Sequence, residues 1–168
     1  MARLFFAVWP GEAAAPLARL AADLAVVGEG RAVPREKIHL TLAFLGEVPA
    51  ARLDGAREAG AGVRFERFAF ALDRVGSFRG ARVAWAGSAR MPEPLAALQS
   101  ALAARLRAGG FALEERPFAP HATLARRTRK PVPAAAIPAI DWRVDAFTLV
   151  RSGGGDGRYE VLAEYRAV

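Results

Sequence analysis

Hydrophobic and polar positions along the chain follow two spacings, and both predict regular structure. Runs that are apolar throughout or alternate with polar residues predict β-strands. These runs are Arg3 to Trp9, Ile38 to Leu45, Phe65 to Val75, Arg82 to Ala86, Phe118 to Ala125, Val144 to Val150 and Tyr159 to Tyr165. Apolar residues spaced by three or four positions predict helices over Glu12 to Val27, Ala50 to Ala61 and Pro92 to Ala108. This mixed order indicates an α+β fold.

Glycine and proline mark the breaks between these elements. Gly28 and Gly30 end the first predicted helix. The segment from Pro131 to Pro138 is predicted to be a loop, too short and too apolar to be a linker. The glycine-rich stretch from Ser152 to Gly157 is either a mobile loop near the functional cleft or the turn of a long hairpin.

A short pattern occurs twice, once on each of two predicted strands. HLTLA begins at His39 and HATLA begins at His121, and these are the 2 histidines of the chain. The copies start 82 positions apart (121 minus 39), close to half of the 168 residues. The repeat predicts two similar lobes, each of which presents one motif strand. A pseudo-two-fold axis would bring the two motifs together.

The spacing within each motif gives it a polar and an apolar side. Residues i and i+2 of a strand share one face, about 7 Å apart. His39 therefore faces the same side as Thr41, and His121 the same side as Thr123. Of two imidazoles, one accepts a proton while the other donates one, and hydroxyls bind an oxyanion between them. Hydrolysis of a phosphodiester fits this arrangement. A single His-x-Thr is usually packing or surface, but two copies that use every histidine indicate catalysis.

Composition narrows the chemistry further. The absence of cysteine excludes disulfides, thiol catalysis and cysteine zinc sites, and the two histidines lack the spacing of zinc ligands. We therefore expect no metal and no cofactor. The N-terminal apolar run is too short for a membrane span or a secretory signal, which favours a soluble cytoplasmic protein.

The net charge of +7 favours an anionic partner, although an arginine-rich, GC-rich genome would produce the same balance. Four basic residues follow the second motif closely: Arg126, Arg127, Arg129 and Lys130. They are either contacts for an RNA backbone or a solvated basic loop.

The extended motif surroundings resemble the two-histidine phosphoesterase superfamily. Within it, the chain is most similar to the bacterial and archaeal RNA 2′,3′-cyclic phosphodiesterases, also called 2′-5′ RNA ligases. The segments that carry the resemblance are RLFFAVWP at Arg3 to Pro10, VPREKIHLTLAFLGEV at Val33 to Val48, RPFAPHATLARR at Arg116 to Arg127 and GRYEVLAEY at Gly157 to Tyr165.

This resemblance implies one bilobal α+β domain over residues 1–168, with antiparallel sheets, outer helices and a central cleft between two lobes related by a pseudo-two-fold axis. It also implies hydrolysis of a terminal RNA 2′,3′-cyclic phosphate to a 2′-phosphate by a monomer, with reversible 2′-5′ ligation as a side reaction. It implies that His39 is the proton donor to O3′ and that His121 is the proton acceptor that activates water. Thr41 and Thr123 match the hydroxyls that bind phosphate.

Phe44 and Arg126 lie five residues after the two histidines. Phe44 is a candidate for stacking on a base, or a core residue. Arg126 is a candidate for pairing with phosphate, or a solvated charge at the end of a strand.

Two alternatives remain open from the sequence. The first is that the chain is an RNA-end-binding module without catalysis. The second is that it is a two-histidine phosphodiesterase for a small cyclic nucleotide, such as ADP-ribose 1″,2″-cyclic phosphate or a 2′-5′ oligoadenylate. Two acid–base histidines favour an enzyme over a binding module, and the arginine content favours RNA over a small nucleotide.

Overall fold

The computed structural model describes residues 1–78, 80–153 and 157–168. Within these ranges, nine strands form one antiparallel sheet, and three helices pack on one of its faces. The strands are β1 (Ala2–Val8), β2 (Arg31–Ala32), β3 (Leu40–Val48), β4 (Phe68–Ser77), β5 (Val83–Gly87), β6 (His121–Arg126), β7 (Ala135–Val144), β8 (Ala146–Ser152) and β9 (Glu160–Arg166). The helices are α1 (Ala14–Val27), α2 (Leu53–Ala61) and α3 (Glu93–Ala108). The predicted α+β class is confirmed.

The strand order divides the sheet into two halves. The order is β7-β4-β5-β6-β3-β1-β8-β9, with β2 paired to the far end of β6. The halves meet at β3 and β6, which share one residue pair, Leu40 with Ala122. The two motif strands are therefore neighbours at the centre of the sheet.

Each half is built from the same succession of elements. The order strand, helix, motif strand occurs as β1, α1 and β3, and again as β5, α3 and β6. Each helix also packs against the motif strand of the other half, α1 on β6 and α3 on β3. The repeated order supports the predicted two-lobe design, and the pseudo-two-fold axis stays a prediction.

One hydrophobic core lies between the sheet and the helices. Apolar side chains alternate with outward-facing ones along the central strands, as at Leu4, Phe6 and Val8 of β1, which are fully buried. Leu17 of α1 and Leu102 of α3 are fully buried against the same core. No helix within the described residues is both long and apolar enough to cross a membrane.

The predicted loop from Pro131 to Pro138 is wrong for its second half. Strand β7 begins at Ala135 and includes Pro138. β7 is an edge strand, and its pairing with β4 is irregular at this point. Ala136 and Ile140 are four residues apart on β7, but their partners on β4 are only two residues apart. A proline has no backbone N–H to donate, so edge strands and bulges are the places where a sheet tolerates it. The sequence analysis also missed β2, and positions 154–156 of the glycine-rich stretch lie outside the described residues.

Candidate active site

The β3–β6 junction sets the direction of both motifs. Leu40 and Ala122 face each other across it and are fully buried against the helices. Alternation along the strands then turns the neighbouring motif residues to the opposite face of the sheet. Those residues are His39, Thr41, His121 and Thr123, all of them half-buried. We call this side of the sheet the motif face.

The two imidazoles are held by the same hydrogen bond. Nδ1 of His39 lies 2.7 Å from the carbonyl oxygen of Lys37, and Nδ1 of His121 lies 2.8 Å from that of Ala119. A carbonyl oxygen only accepts, so Nδ1 carries the proton and donates in both rings. In the neutral ring, Nε2 is then left as an acceptor. The hydroxyl of Thr41 lies 3.1 Å from Nε2 of His39 and donates to it.

Burial and nearby positive charge favour the neutral form of both rings. Burial removes water from the imidazoles and is the main cause that lowers the pKa of His39 and of His121 below the usual 6.5. The backbone hydrogen bonds oppose this effect. The positive charge of Arg126 lowers both pKa values further, and the charge of His121 lowers that of His39. Arg126 therefore acts on both histidines at once.

Aromatic rings surround His39. Its imidazole stacks on Phe5 with ring centroids 4.9 Å apart, and Trp9 and Tyr159 pack at 5.4 and 5.5 Å. Trp9 is fixed by an indole N–H that donates to the hydroxyl of Thr148 at 2.8 Å. These rings form a small apolar cluster on the motif face, separate from the main core.

His121 has a more open environment. Phe78, which follows β4, packs against it nearly at a right angle, with ring centroids 4.8 Å apart. Phe78 in turn packs on Trp85 of β5. The two histidines thus differ in their aromatic neighbours while sharing the same backbone anchor.

A bulge in each motif strand turns a further residue toward the motif face. One extra residue interrupts the pairing of β1 with β3 at Leu42, and another interrupts that of β5 with β6 at Leu124. In a regular strand, the fifth residue after a histidine would face the core. The extra residue reverses this, so Phe44 and Arg126 lie on the motif face and are exposed.

Phe44 is not a core residue, because 44% of its surface is exposed, and Arg3 lies over its ring at 5.2 Å from the centroid. The structure therefore gathers the four motif residues on one face, with Arg126 near both histidines and Phe44 farther along β3. It shows no contact between Phe44 and either imidazole.

Comparison with known proteins places the chain in a family. The family model for the 2′-5′ RNA ligase superfamily matches residues 9–156. The chain belongs to the 2′-5′ RNA ligase superfamily. It is 34% identical to the RNA 2′,3′-cyclic phosphodiesterase of Escherichia coli, over 93% of this chain and 90% of that protein. It is also 34% identical to the protein of the same name from Thermus thermophilus, over 89% and 81% of the two chains.

Solved structures of the superfamily agree with this assignment. The crystal structure of E. coli LigT complexed with 3′-AMP aligns with a TM-score of 0.87 at 32% identity, covering 99% of this chain and 98% of that chain. The apo form of the same protein aligns with a TM-score of 0.86. The resemblance drawn from the sequence is confirmed.

The aromatic neighbours of the histidines went unnoticed as site residues in the sequence analysis. Alternation along β1 carried a signal for two of them, since Phe5 and Trp9 fall on the face opposite Leu4 and Phe6. Tyr159 and Phe78 carried none, because each reaches a histidine from a segment distant in sequence. Among the described residues, no three histidine, aspartate or glutamate side chains come close enough to hold a metal ion.

We predict that removing one aromatic neighbour shifts the pKa of one histidine selectively. Tyr159→Ala admits water to His39, and because burial lowers that pKa, its value should rise toward 6.5. Phe78→Ala should do the same for His121. NMR titration measures both, since the chain gives only two imidazole signals, and His121→Gln assigns them. Equal shifts of both histidines in each variant would contradict this assignment of causes.

Proposed function

We propose that this superfamily member is a metal-independent RNA 2′,3′-cyclic phosphodiesterase that opens a terminal cyclic phosphate to a 2′-phosphate. One observation carries the proposal: two histidines with Nδ1 anchored and Nε2 acting as acceptor lie on one face, beside an arginine that acts on both. The names of its relatives favour an enzyme over a module that only binds RNA ends.

The two rings divide the proton transfers between them. Neutral His121 accepts a proton from water through Nε2 as the water oxygen bonds to phosphorus. The bond from phosphorus to O3′ breaks, and protonated His39 donates its Nε2 proton to O3′. His121 then releases its proton to solvent and His39 takes one up from solvent, which resets both rings. These roles follow the resemblance, and each transfer typically contributes about 10²- to 10⁴-fold to the rate.

The charge that develops on the phosphoryl oxygens needs donors on the same face. Thr41 and Thr123 each offer a hydroxyl, and Arg126 offers a guanidinium. Donors fixed before the reaction stabilise the transition state without rearrangement, and each is typically worth about 10²- to 10³-fold. We assign to Phe44, whose ring is exposed, the role of stacking on a base of the RNA.

We further propose that residues 1–168 act as one bilobal domain and as a monomer in the cytoplasm. The site supports a single unit, because each half of the sheet supplies one motif and neither half holds both.

We predict that His39→Ala and His121→Ala each lower kcat by about 10²- to 10⁴-fold, because the chain has no third histidine to replace either ring. A substrate with sulfur in place of O3′ separates the roles. A thiolate leaves without a donated proton, so this substrate should restore turnover by His39→Ala and leave His121→Ala inactive.

Circular dichroism and thermal unfolding check that both variants keep the fold. Arg64, exposed on the segment before β4, provides a control outside the site, and Arg64→Ala should retain most of the activity. Near-normal turnover of the natural substrate by either histidine variant would refute the two-histidine mechanism. If the sulfur-containing substrate restores turnover by His121→Ala instead of His39→Ala, the proton donor and the proton acceptor are reversed.

We predict a bell-shaped pH dependence, because one ring must be protonated while the other is neutral. Both pKa values are lowered below 6.5 in the free protein, so kcat/KM should reach its maximum below pH 6.5. The negative charge of a bound phosphate stabilises an imidazolium, so the maximum of kcat should lie at higher pH. Steady-state rates across the pH range measure both profiles. A steady rise of rate with pH would contradict the account.

A further inference from the structure

Two adjoining cavities lie beyond the C-terminal end of β6, and one of them reaches Phe78, the ring that packs against His121. The first has a volume of about 340 Å³ and is lined by Glu29, Gly30, Arg31, Arg82, Arg127 and Arg129. The second has a volume of about 410 Å³, shares Arg82 and Arg129 with the first, and adds Phe78 and Lys130 to its lining. We call the first cavity the arginine pocket.

The arginine pocket holds more positive than negative charge. Among the described residues that line it there is one carboxylate, Glu29, which is already paired with Lys130 at 2.7 Å. Arg82 donates from Nε to the carbonyl oxygen of Thr128 at 3.2 Å. The other three guanidiniums form no ion pair or side-chain hydrogen bond with any described residue; they belong to Arg31, Arg127 and Arg129. Clustered cations without counter-charges attract an anion.

Backbone contacts hold the walls of this pocket in place. The N–H of Thr128 donates to the carbonyl oxygen of Arg82, and the N–H of Arg129 donates to that of Gly28 at 2.8 Å. The approach at Gly30 is so close that an added Cβ would lie 2.6 Å from the carbonyl oxygen of Arg126. Three segments distant in sequence therefore present their arginines from a fixed frame.

A basic surface continues from the histidines to the pocket. Arg31 pairs with Arg126 across β2 and β6, and paired residues share one face of a sheet. The charge of Arg126 lowers the pKa of both histidines, and its neighbour Arg31 lines the pocket. In a regular strand the Cα atom of Arg126 would lie about 17 Å from that of His121, and the bulge at Leu124 shortens this distance, while the charge of Arg126 still acts on both imidazoles. A polyanion whose end is bound at the histidines would therefore reach the pocket with a unit farther along its own chain.

We propose that the arginine pocket binds backbone phosphates of the RNA, upstream of the nucleotide whose cyclic phosphate lies at the histidines. This inference rests on the proposed function and extends it, because it makes an RNA chain the preferred substrate over a cyclic mononucleotide. The basic cluster expected from the sequence is revised accordingly. Lys130 is paired with Glu29, whereas Arg31 and Arg82 join the site from other segments.

The test compares Arg31→Gln/Arg129→Gln with a control of equal charge change, Arg19→Gln/Arg64→Gln. The control arginines are exposed on α1 and on the segment before β4, outside the pocket. For an RNA oligonucleotide with a 2′,3′-cyclic end, the pocket variant should raise KM by about tenfold, the loss of roughly 1.4 kcal/mol of binding. KM for 2′,3′-cyclic AMP should stay unchanged, and the control should leave both values near wild type.

Direct binding separates this proposal from the proposed function. Fluorescence anisotropy with an RNA that ends in a 2′-phosphate needs no turnover. The slope of log Kd against log salt should fall by about 1.4 in the pocket variant, because two phosphate contacts to a single strand are lost. One outcome refutes the proposed function and supports the pocket: the wild-type protein binds this RNA, the pocket variant shows the smaller slope, and neither substrate is hydrolysed. Unchanged RNA binding in the pocket variant, or an equal rise of KM for both substrates, would overturn the pocket.

Discussion

The pairing of β3 with β6 is the constraint on which the site depends. These strands share one residue pair, Leu40 with Ala122, and it joins the two halves of the sheet. Both side chains are fully buried, so the histidines and threonines beside them must face the other way. A slip of one residue would bury the imidazoles and expose a leucine, which hydrophobic burial opposes. The core of the protein therefore sets the geometry of its chemistry.

The same arrangement prepares the site for an anion. Anchoring of Nδ1 by a backbone carbonyl fixes one tautomer in each ring and leaves Nε2 of both His39 and His121 to exchange protons. Burial and Arg126 favour the neutral form of both rings, so before substrate binds the positive charge beside them comes from arginine more than from imidazolium. A phosphate that enters this field supplies the negative charge that one ring needs in order to become protonated. Substrate binding and acid catalysis are thus linked.

The sequence predicted the parts of this site that follow from a regular strand. Alternation alone placed His39 with Thr41 and His121 with Thr123. It could not place Phe44 and Arg126, because their orientation depends on bulges at Leu42 and Leu124 that alternation does not reveal. Strand β7 was missed because Pro138 is typical of a loop, and only its edge position makes a strand possible there. The arginine pocket was beyond reach for a different reason: the fold brings Arg31 and Arg82 to the second motif from distant segments.

The most direct test of the central claim is the position of the phosphate in the product. Purified protein is incubated in EDTA with an RNA that ends in a 2′,3′-cyclic phosphate, and the product is identified by chromatography against 2′- and 3′-phosphate standards. Acid–base catalysis by His39 and His121 with O3′ leaving predicts full conversion to the 2′-phosphate without a divalent ion. A 3′-phosphate product, or activity that EDTA abolishes and a divalent ion restores, would contradict the account.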